Sequence, residues 1–190
     1  MSYTENDVSQ KILSATFELL STHGYANVSM RDIAKKSDVA VSQITYYYET
    51  KENLLVEVIK KATCEYLDEL KQKLEKIESS HEKILFFFDW IEKLIVENTA
   101  FHRLLFDFYS LATWNKKIQK ELKQLFNETI FLLCKILKQI PFEKAQLYSS
   151  HERMAKLILG TYLGSAMLYI MDETDKEAVE SLRLMKSFFS

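Results

Sequence analysis

Histidines are the side chains best suited to acid–base chemistry at neutral pH, and the four in this sequence do not form a catalytic set. They are His23, His81, His102 and His151, which stand far apart along the chain. Two of them have an acidic neighbour, Glu82 and Glu152, but adjacent residues of a helix point to different faces. The sequence therefore predicts surface histidines and no catalytic pair, which argues against an enzyme.

Cysteine and glycine give no support to a metal centre or a nucleotide site. Cys64 and Cys134 are seventy residues apart, with no CxxC motif and no histidine at metal-ligand spacing beside either. The three glycines, Gly24, Gly160 and Gly164, cannot form GxGxxG or a Walker loop. We expect two reduced core thiols, no bound metal and no cofactor.

The composition of the chain predicts an all-helical protein. Of its 190 residues 47% are apolar, enough for a packed core, while three glycines and one proline leave little material for hairpin turns. The first residues, MSYTENDVSQ, lack the basic and apolar regions of a signal peptide. The longest uncharged stretch, Leu157 to Met171, has fifteen residues, against the roughly 20 that a membrane span needs. We expect a cytoplasmic protein that does not enter a membrane.

Apolar periodicity divides the chain into nine helical segments. Apolar residues recur at gaps of three and four in residues 8–23, 30–37, 39–48, 50–79, 81–98, 101–113, 116–140, 142–171 and 174–189. Capping signals mark the starts of three segments: Ser29 with Asp32, Thr50, and Thr174 with Glu177. Asp38 predicts a tight turn between the second and third segments, because aspartate tolerates positive φ.

The first three segments follow helix-turn-helix order, with a long helix before two short ones that meet at a tight turn. Three short helices are also the pattern of a plain bundle, so the order alone leaves both interpretations open. The charge does not decide between them. Residues 1–54 carry five Lys and Arg side chains against seven acidic ones, and the whole chain has a net charge of −2.

The types and spacing of residues in the first three segments are specific. The pattern consists of Ile12, Leu13, Ala15, Phe17, Leu20, Gly24, Tyr25, the run Val28–Ala34, Val39, Ile44, Tyr47, Tyr48, Lys51, Glu52 and Leu54. It resembles the DNA-binding domain of the TetR family of transcriptional regulators over about 45 residues. The resemblance implies an all-α fold with a helix-turn-helix DNA-binding domain over residues 1–54. Residues 55–190 would form a larger helical bundle for ligand binding and dimerisation.

The resemblance also implies which residues contact DNA. The segment from Ala40 to Tyr48 would be the recognition helix, with its start in the major groove. The candidate contacts are Ser29, Arg31, Val41, Ser42, Gln43, Thr45, Tyr46, Tyr47 and Lys51. The Gln43 amide can form two hydrogen bonds to adenine N6 and N7, and Val41 can pack against a thymine methyl. The Arg31 guanidinium can donate two hydrogen bonds to guanine O6 and N7.

The same candidates have structural alternatives. At least one of Tyr47 and Tyr48 is expected in the core under the helix, while Arg31 and Lys51 are also typical of solvated surface charges. Thr45 stands where the family usually has a tyrosine, which removes one expected phosphate contact. Residues 1–54 also carry more acidic than basic side chains. Both features predict a modest nonspecific affinity for DNA and a strong dependence on binding as a dimer.

Large aromatic residues crowd the middle of the chain. A bundle interior lined by aromatic rings suits a small apolar ligand, because so many rings are hard to pack without voids. The candidate lining residues are Trp90, Phe106, Tyr109, Trp114, Phe126 and Tyr162. The alternative is a fully packed aromatic core without a ligand.

The end of the chain predicts a dimer interface from about Phe142 to Ser190. The helix that starts near Thr174 carries an apolar stripe too large to leave in water. Two glycines four residues apart on the preceding helix would allow close approach of backbones. The candidate interface residues are Gly160, Gly164, Val179, Leu182, Met185, Phe188 and Phe189. An interface role for the segment His151 to Arg153 is left open.

These observations together predict a homodimeric, ligand-responsive transcriptional regulator. We expect a repressor that a small apolar or aromatic molecule releases from a palindromic double-stranded operator. Two other classes stay open: a dimeric helical scaffold without DNA binding, and a helical enzyme that acts on an apolar substrate.

Overall fold

The computed structural model of the protein describes residues 3–140 and 150–189, and every regular element in these ranges is helical. The helices are α1 (Tyr3–His23), α2 (Met30–Ser37), α3 (Val41–Tyr48), α4 (Lys51–Glu75), α5 (Ser80–Glu97), α6 (Thr99–Ala112), α7 (Lys116–Leu137), α8 (His151–Met171) and α9 (Glu177–Ser187), with a 3-10 turn at Tyr25–Asn27. The predicted all-α class is confirmed. The part of the predicted eighth segment at residues 142–149 lies outside the described residues.

The chain forms two compact units. The N-terminal unit consists of Met1–Cys64 and Arg103–Leu122, and the C-terminal unit of Glu65–His102 and Lys123–Ser190. The sequence predicted a boundary after residue 54, inside the helix that starts near Thr50, and α4 runs through that position without a break. The helix-turn-helix segment thus shares its unit with the end of α6 and the start of α7.

Apolar side chains from every helix of the N-terminal unit meet in its core. The fully buried ones are Ile12, Leu20, Ile33, Ile44, Leu54, Leu55, Leu104, Phe108 and Ile118. Burial of such a side chain stabilises the fold by about 1.5–3 kcal/mol relative to exposure. In this core α2 packs against α1 and α3, while the outer faces of α2 and α3 stay exposed.

In the C-terminal unit, α9 packs against α5 and α8 of the same chain. The rings of Phe88 and Phe189 are 5.7 Å apart, and Val179, Leu182 and Met185 are buried as well. Four of the five stripe residues therefore need no partner to cover them. Phe188, which is 61% exposed, is the fifth.

Two of the three predicted helix caps are formed. The Ser29 side chain accepts the Asp32 N–H in a capping box, and Thr50 Oγ1 accepts the Asn53 N–H at 3.1 Å. The predicted box at Thr174 is wrong. Its hydroxyl donates to the Asp172 carboxylate instead, at 2.6 Å.

The start of α9 is capped by a different side chain. The helix begins at Glu177, and the Glu177 N–H donates to Asp175 Oδ1 at 3.0 Å. Asp175 therefore accepts the N–H that Thr174 was expected to accept.

The predicted exposure of histidines and cysteines is partly wrong. His23, His81 and His151 are exposed as expected, but His102 is only 1% exposed. Cys64 is exposed and Cys134 half-buried, so Cys64 is not a core thiol. Local sequence patterns cannot detect either case, because helical periodicity assigns a face only after the neighbours of that helix are known.

His102 is part of a buried polar cluster in the C-terminal unit. Its Nδ1 lies 3.0 Å from the Asn98 carbonyl oxygen, which can only accept, so Nδ1 carries the proton. Its Nε2 then accepts from the Tyr162 hydroxyl at 2.8 Å. Tyr66 donates to the Asn98 side chain at 3.0 Å. Burial lowers the pKa of His102, because the charged imidazolium loses hydration there.

α8 is long and apolar enough to cross a membrane, by length and composition only. Its inner face is packed inside the C-terminal unit through Met154, Ala155, Ile158, Leu159, Ser165 and Ala166. One such helix is weak evidence for a span, since the core helix of a globular protein passes the same test.

Candidate nucleic-acid interface

The turn between α2 and α3 has the predicted geometry. Asp38 ends α2 in the left-handed conformation, at φ 53° and ψ 47°, and the Val39 N–H donates to the Ala34 carbonyl at 3.1 Å. Ala40 is extended, and α3 begins at Val41. A single αL residue therefore makes the tight turn that sets the direction of α3.

Two side chains fix which face of α3 points inward. Ile44 is completely buried and Tyr48 is 8% exposed. The Tyr48 hydroxyl is 2.8 Å from the Ser9 hydroxyl on α1. Residues four apart lie on one helical face, so Ile44 and Tyr48 hold α3 down on the core. The expected tyrosine beneath the helix is confirmed as Tyr48.

The opposite face of α3 is open to solvent. Its exposed side chains are Val41, Ser42, Gln43, Thr45 and Tyr46. Tyr46 is 79% exposed, and its ring lies edge-on to that of Tyr47 at 5.4 Å. Tyr47 itself is half-buried. The structure thus brings six predicted contact residues to one short helix with one outward face.

Local hydrogen bonds occupy part of this face. Gln43 Oε1 accepts the Ala40 N–H at 3.3 Å, which satisfies a free donor at the start of α3. The Thr45 hydroxyl donates to the Val41 carbonyl at 3.0 Å. A bidentate bond from Gln43 to adenine would use the amide oxygen as acceptor and the NH₂ as donor, and would therefore replace the bond to Ala40.

The two candidates at the start of α2, Ser29 and Arg31, differ in their surroundings. Arg31 is exposed. Ser29 donates its hydroxyl to the Asp32 carboxylate at 2.6 Å, and its N–H donates to the same carboxylate at 2.8 Å. These bonds lower the pKa of Asp32, because they stabilise its charged form. Ser29 is thus engaged as a helix cap, while Arg31 extends into solvent.

Lys51, at the start of α4, is held by the 3-10 turn. Its Nζ donates to the Tyr25 carbonyl and lies 3.9 Å from the centroid of the Tyr25 ring. Burial lowers the pKa of Lys51, and burial with the nearby Glu52 raises the pKa of Tyr25 to about 12. Lys51 is therefore a half-buried cation with a fixed position, and a phosphate contact from it remains a prediction.

Sequence reasoning missed Asp107 on α6. Its Oδ2 accepts the Tyr25 N–H at 2.6 Å, so Tyr25 is held through its N–H by α6 and through its carbonyl by Lys51. Asp107 is 82 positions from Tyr25. No local motif connects residues at that separation, so only the folded structure identifies this contact.

The aromatic candidates for a ligand site are divided between the two units. In the N-terminal unit, the rings of Phe106 and Tyr109 are 5.7 Å apart, and Trp114 is 92% exposed. In the C-terminal unit, Trp90, Phe126 and Tyr162 are half-buried. Tyr162 contacts the buried His102, as described above.

The two glycines expected in a dimer interface lie on the exposed face of α8. A Cβ built at either Gly160 or Gly164 meets no atom within 4 Å. The exposed large apolar side chains of α8 and α9 are Leu157, Met167, Leu168, Met171, Leu184 and Phe188. These side chains form an apolar surface that is exposed to solvent, whereas most of the apolar stripe of α9 is buried.

Comparison with known proteins agrees with this geometry. Residues 12–58 match the sequence model described as bacterial regulatory proteins, tetR family. A curated relative from Xanthobacter autotrophicus, an uncharacterized HTH-type transcriptional regulator in the dhlA 5' region, is 35% identical over 52 residues. The match covers 27% of this chain and about a quarter of the relative, 26% of its length.

Solved structures resemble nearly the whole chain. A TetR transcription regulator from Haloarcula marismortui has a TM-score of 0.82 at 19% identity, covering 97% of this chain and 96% of that one. A regulator from Saccharomonospora viridis in complex with choline scores 0.83 at 17% identity, covering 97% and 95%. FadR from Bacillus subtilis in complex with stearoyl-CoA scores 0.78 at 16% identity, covering 95% and 96%. At these identities the likeness establishes the TetR-like fold.

Proposed function

We propose that the chain is a regulator of the TetR family, whose sequence model matches residues 12–58, and that it represses transcription by binding a palindromic operator as a homodimer in the cytoplasm. Residues 1–54 would bind DNA, and residues 55–190 would bind an effector and the second copy. The observation that carries the proposal is α3, which is anchored by Ile44 and Tyr48 and open on its other face.

The open face of α3 has the size and chemistry to read a few base pairs. Gln43 would read adenine, Val41 a thymine methyl, and Ser42 would accept several bases. Tyr46, Tyr47 and Ser29 would bond phosphates, which position the helix without reading sequence. One such helix reads too few bases alone, so two copies should bind half-sites about 34–36 Å apart or a multiple of that distance.

The exposed apolar surface of α8 and α9 supports dimerisation. Single exposed apolar residues are normal, but a set of large ones on adjacent helices marks an interface. Gly160 and Gly164 have open space above them, which lets a second backbone approach closely. Leu168 and Phe188, 59% and 61% exposed, would be covered by the second copy.

An effector of apolar or aromatic character would bind in the C-terminal unit. Trp90, Phe126 and Tyr162 would supply its apolar surroundings, and the hydrogen-bonded pair Tyr162–His102 would supply a polar partner. Two of the similar structures were solved with small ligands, choline and stearoyl-CoA. The chemistry of these two ligands differs, so they support effector binding and not a particular effector.

Selection from random double-stranded oligonucleotides tests the proposal. The purified full chain should enrich a palindrome with half-site centres separated by about one helical turn or a multiple of it. A variant with Ile44 and Tyr48 intact but Val41→Asp and Gln43→Asp should enrich nothing, because acidic side chains repel the phosphate backbone. No enrichment by the wild-type chain would contradict the proposed function.

A further inference from the structure

An exposed basic and aromatic surface lies outside the helix-turn-helix segment but in the same compact unit. It consists of Trp114 and the lysines Lys116, Lys117 and Lys120 at the start of α7, and we call it the α7 surface. All three lysines are exposed, and Trp114 is 92% exposed. Lys116 and Lys120 are four residues apart and so lie on one face of the helix.

The charge balance of the unit makes this surface distinctive. Residues 1–64 contain seven Lys and Arg side chains against eight acidic ones, while residues 103–122 contain four against two. The excess of positive charge in the N-terminal unit therefore comes from the α6–α7 region and not from the helix-turn-helix segment. A DNA-binding unit needs cations close to the phosphates, since these supply most of the sequence-independent affinity.

A direct contact joins the start of α7 to the first turn of α4, which follows the end of α3. Lys117 Nζ donates to Asn53 Oδ1 at 2.7 Å. The Asn53 side chain in turn donates to the Glu49 carboxylate at 3.5 Å, and Glu49 is the residue that ends α3. Lys117 thus lies one amide side chain away from Glu49, the residue that follows α3.

The first turn of α7 is also fixed in position. Asn115 Oδ1 accepts the N–H groups of Lys117 and Ile118, at 2.9 and 3.2 Å. Further along, Glu121 of α7 pairs with Lys60 of α4 at 3.1 Å. These contacts hold the start of α7 to α4, so Lys116 and Lys120 extend from a part of α7 whose position is fixed.

We infer that the α7 surface is a second contact to the operator, in which Lys116, Lys117 and Lys120 bind backbone phosphates next to the end of α3 and Trp114 packs against the same backbone. The indole N–H gives Trp114 a donor for a phosphate oxygen. The contact is independent of sequence, and it compensates for the acidic balance of residues 1–54. It rests on the proposed function, because it needs an operator bound at α3.

The test compares two double variants of the full chain on the operator selected by the wild type. Lys116→Ala with Lys120→Ala removes two lysines from the α7 surface. Lys135→Ala with Lys138→Ala removes two exposed lysines of the C-terminal unit and is the control with the same change in net charge. Affinity is measured by fluorescence anisotropy at several salt concentrations, on the operator and on an unrelated duplex, and light scattering follows the oligomeric state.

The α7 variant should bind both duplexes about 10-fold more weakly and should reduce the slope of log K against log salt by about 0.9 for each lost contact. The control should retain both values. If the α7 variant keeps the wild-type affinity and slope, the inference is overturned. The proposed function is tested separately, by whether the wild-type chain binds the operator. A variant that changes oligomeric state would also overturn the inference, because the α7 surface would then be a protein interface.

Trp114 provides a second measurement. The chain has two tryptophans, so Trp90→Phe leaves Trp114 as the sole reporter. Operator binding should reduce the quenching of its fluorescence by acrylamide, a neutral quencher that the charge of DNA does not repel. Equal quenching with and without operator would contradict a contact at Trp114.

Discussion

Asp107 on α6 accepts the backbone N–H of Tyr25 at 2.6 Å, and this bond connects α6 to the 3-10 turn between α1 and α2. Lys51 holds the carbonyl of the same residue. The turn that precedes the helix-turn-helix pair is thus fixed from two other helices, α4 and α6. A displacement of α6 would act directly on the turn that leads into α2 and α3.

Asp107→Ala should destabilise the protein by about 1–3 kcal/mol, because the partly buried Tyr25 N–H loses its acceptor. Asp107→Asn keeps an acceptor oxygen at the same place and should lose less than half as much. Urea denaturation at one protein concentration measures both. Equal losses in the two variants would show that the carboxylate charge, and not the hydrogen bond, is what matters.

Two substitutions at positive φ should act in opposite directions. Gly24 lies at φ 77° and ψ 156°, a region that is essentially restricted to glycine, so Gly24→Ala should cost about 1–3 kcal/mol. Glu49 lies at φ 61° and ψ −55°, in a γ-turn in which the Thr50 N–H donates to the Tyr48 carbonyl at 2.6 Å. Glu49→Gly should stabilise the protein by up to about 1 kcal/mol, because glycine adopts this strained backbone conformation more easily. Thermal unfolding checks both signs, and a loss at both positions would contradict the strain assigned to Glu49.

Alanine at Gly160 and Gly164 should separate folding from dimerisation. Each added methyl has open space within the chain, and alanine favours a helix over glycine by about 0.5–1 kcal/mol. If a second backbone packs on this face, the double variant should nevertheless dissociate at higher protein concentrations than the wild type in sedimentation velocity. An unchanged dimer would place the interface elsewhere.

The buried His102 should make stability depend on pH. Its pKa is lower in the folded chain than the value of about 6.5 in the unfolded chain. The unfolded chain therefore binds the proton first as pH falls, and stability is lost from about pH 6.5 downward to the folded pKa, whereas it is fully present above that range. His102→Gln should flatten this dependence in urea titrations, while His81→Gln, at an exposed position, should not. Identical pH profiles for the two variants would contradict the role of His102.

Features set by neighbouring residues could be predicted from the sequence. The Ser29–Asp32 capping box, the αL turn at Asp38 and the tyrosine beneath α3 all depend on residues within a few positions of one another. The Thr174 box failed at the same range, because Asp175 and not Thr174 accepts the Glu177 N–H. Local patterns therefore predict most helix ends but do not decide between two acceptors.

Contacts between distant parts of the chain could not be predicted in this way. The pairs Asp107–Tyr25 and Lys117–Asn53 join residues 82 and 64 positions apart, and no spacing rule connects them. The same holds for the cover that α5 and α8 provide for the apolar stripe of α9. Periodicity showed that the stripe needs cover, but only the fold shows that the chain covers it itself.

The most direct test of the central claim is the base preference of Gln43→Ala. Anisotropy titrations of wild type and variant against the selected operator and its single-base changes measure this preference at each position. The exposed face of α3 predicts that the variant loses about 1–3 kcal/mol of discrimination at one base pair per half-site and keeps the rest. A variant with the wild-type preference at every position would show that α3 does not read the operator through Gln43 and would contradict the assigned recognition surface.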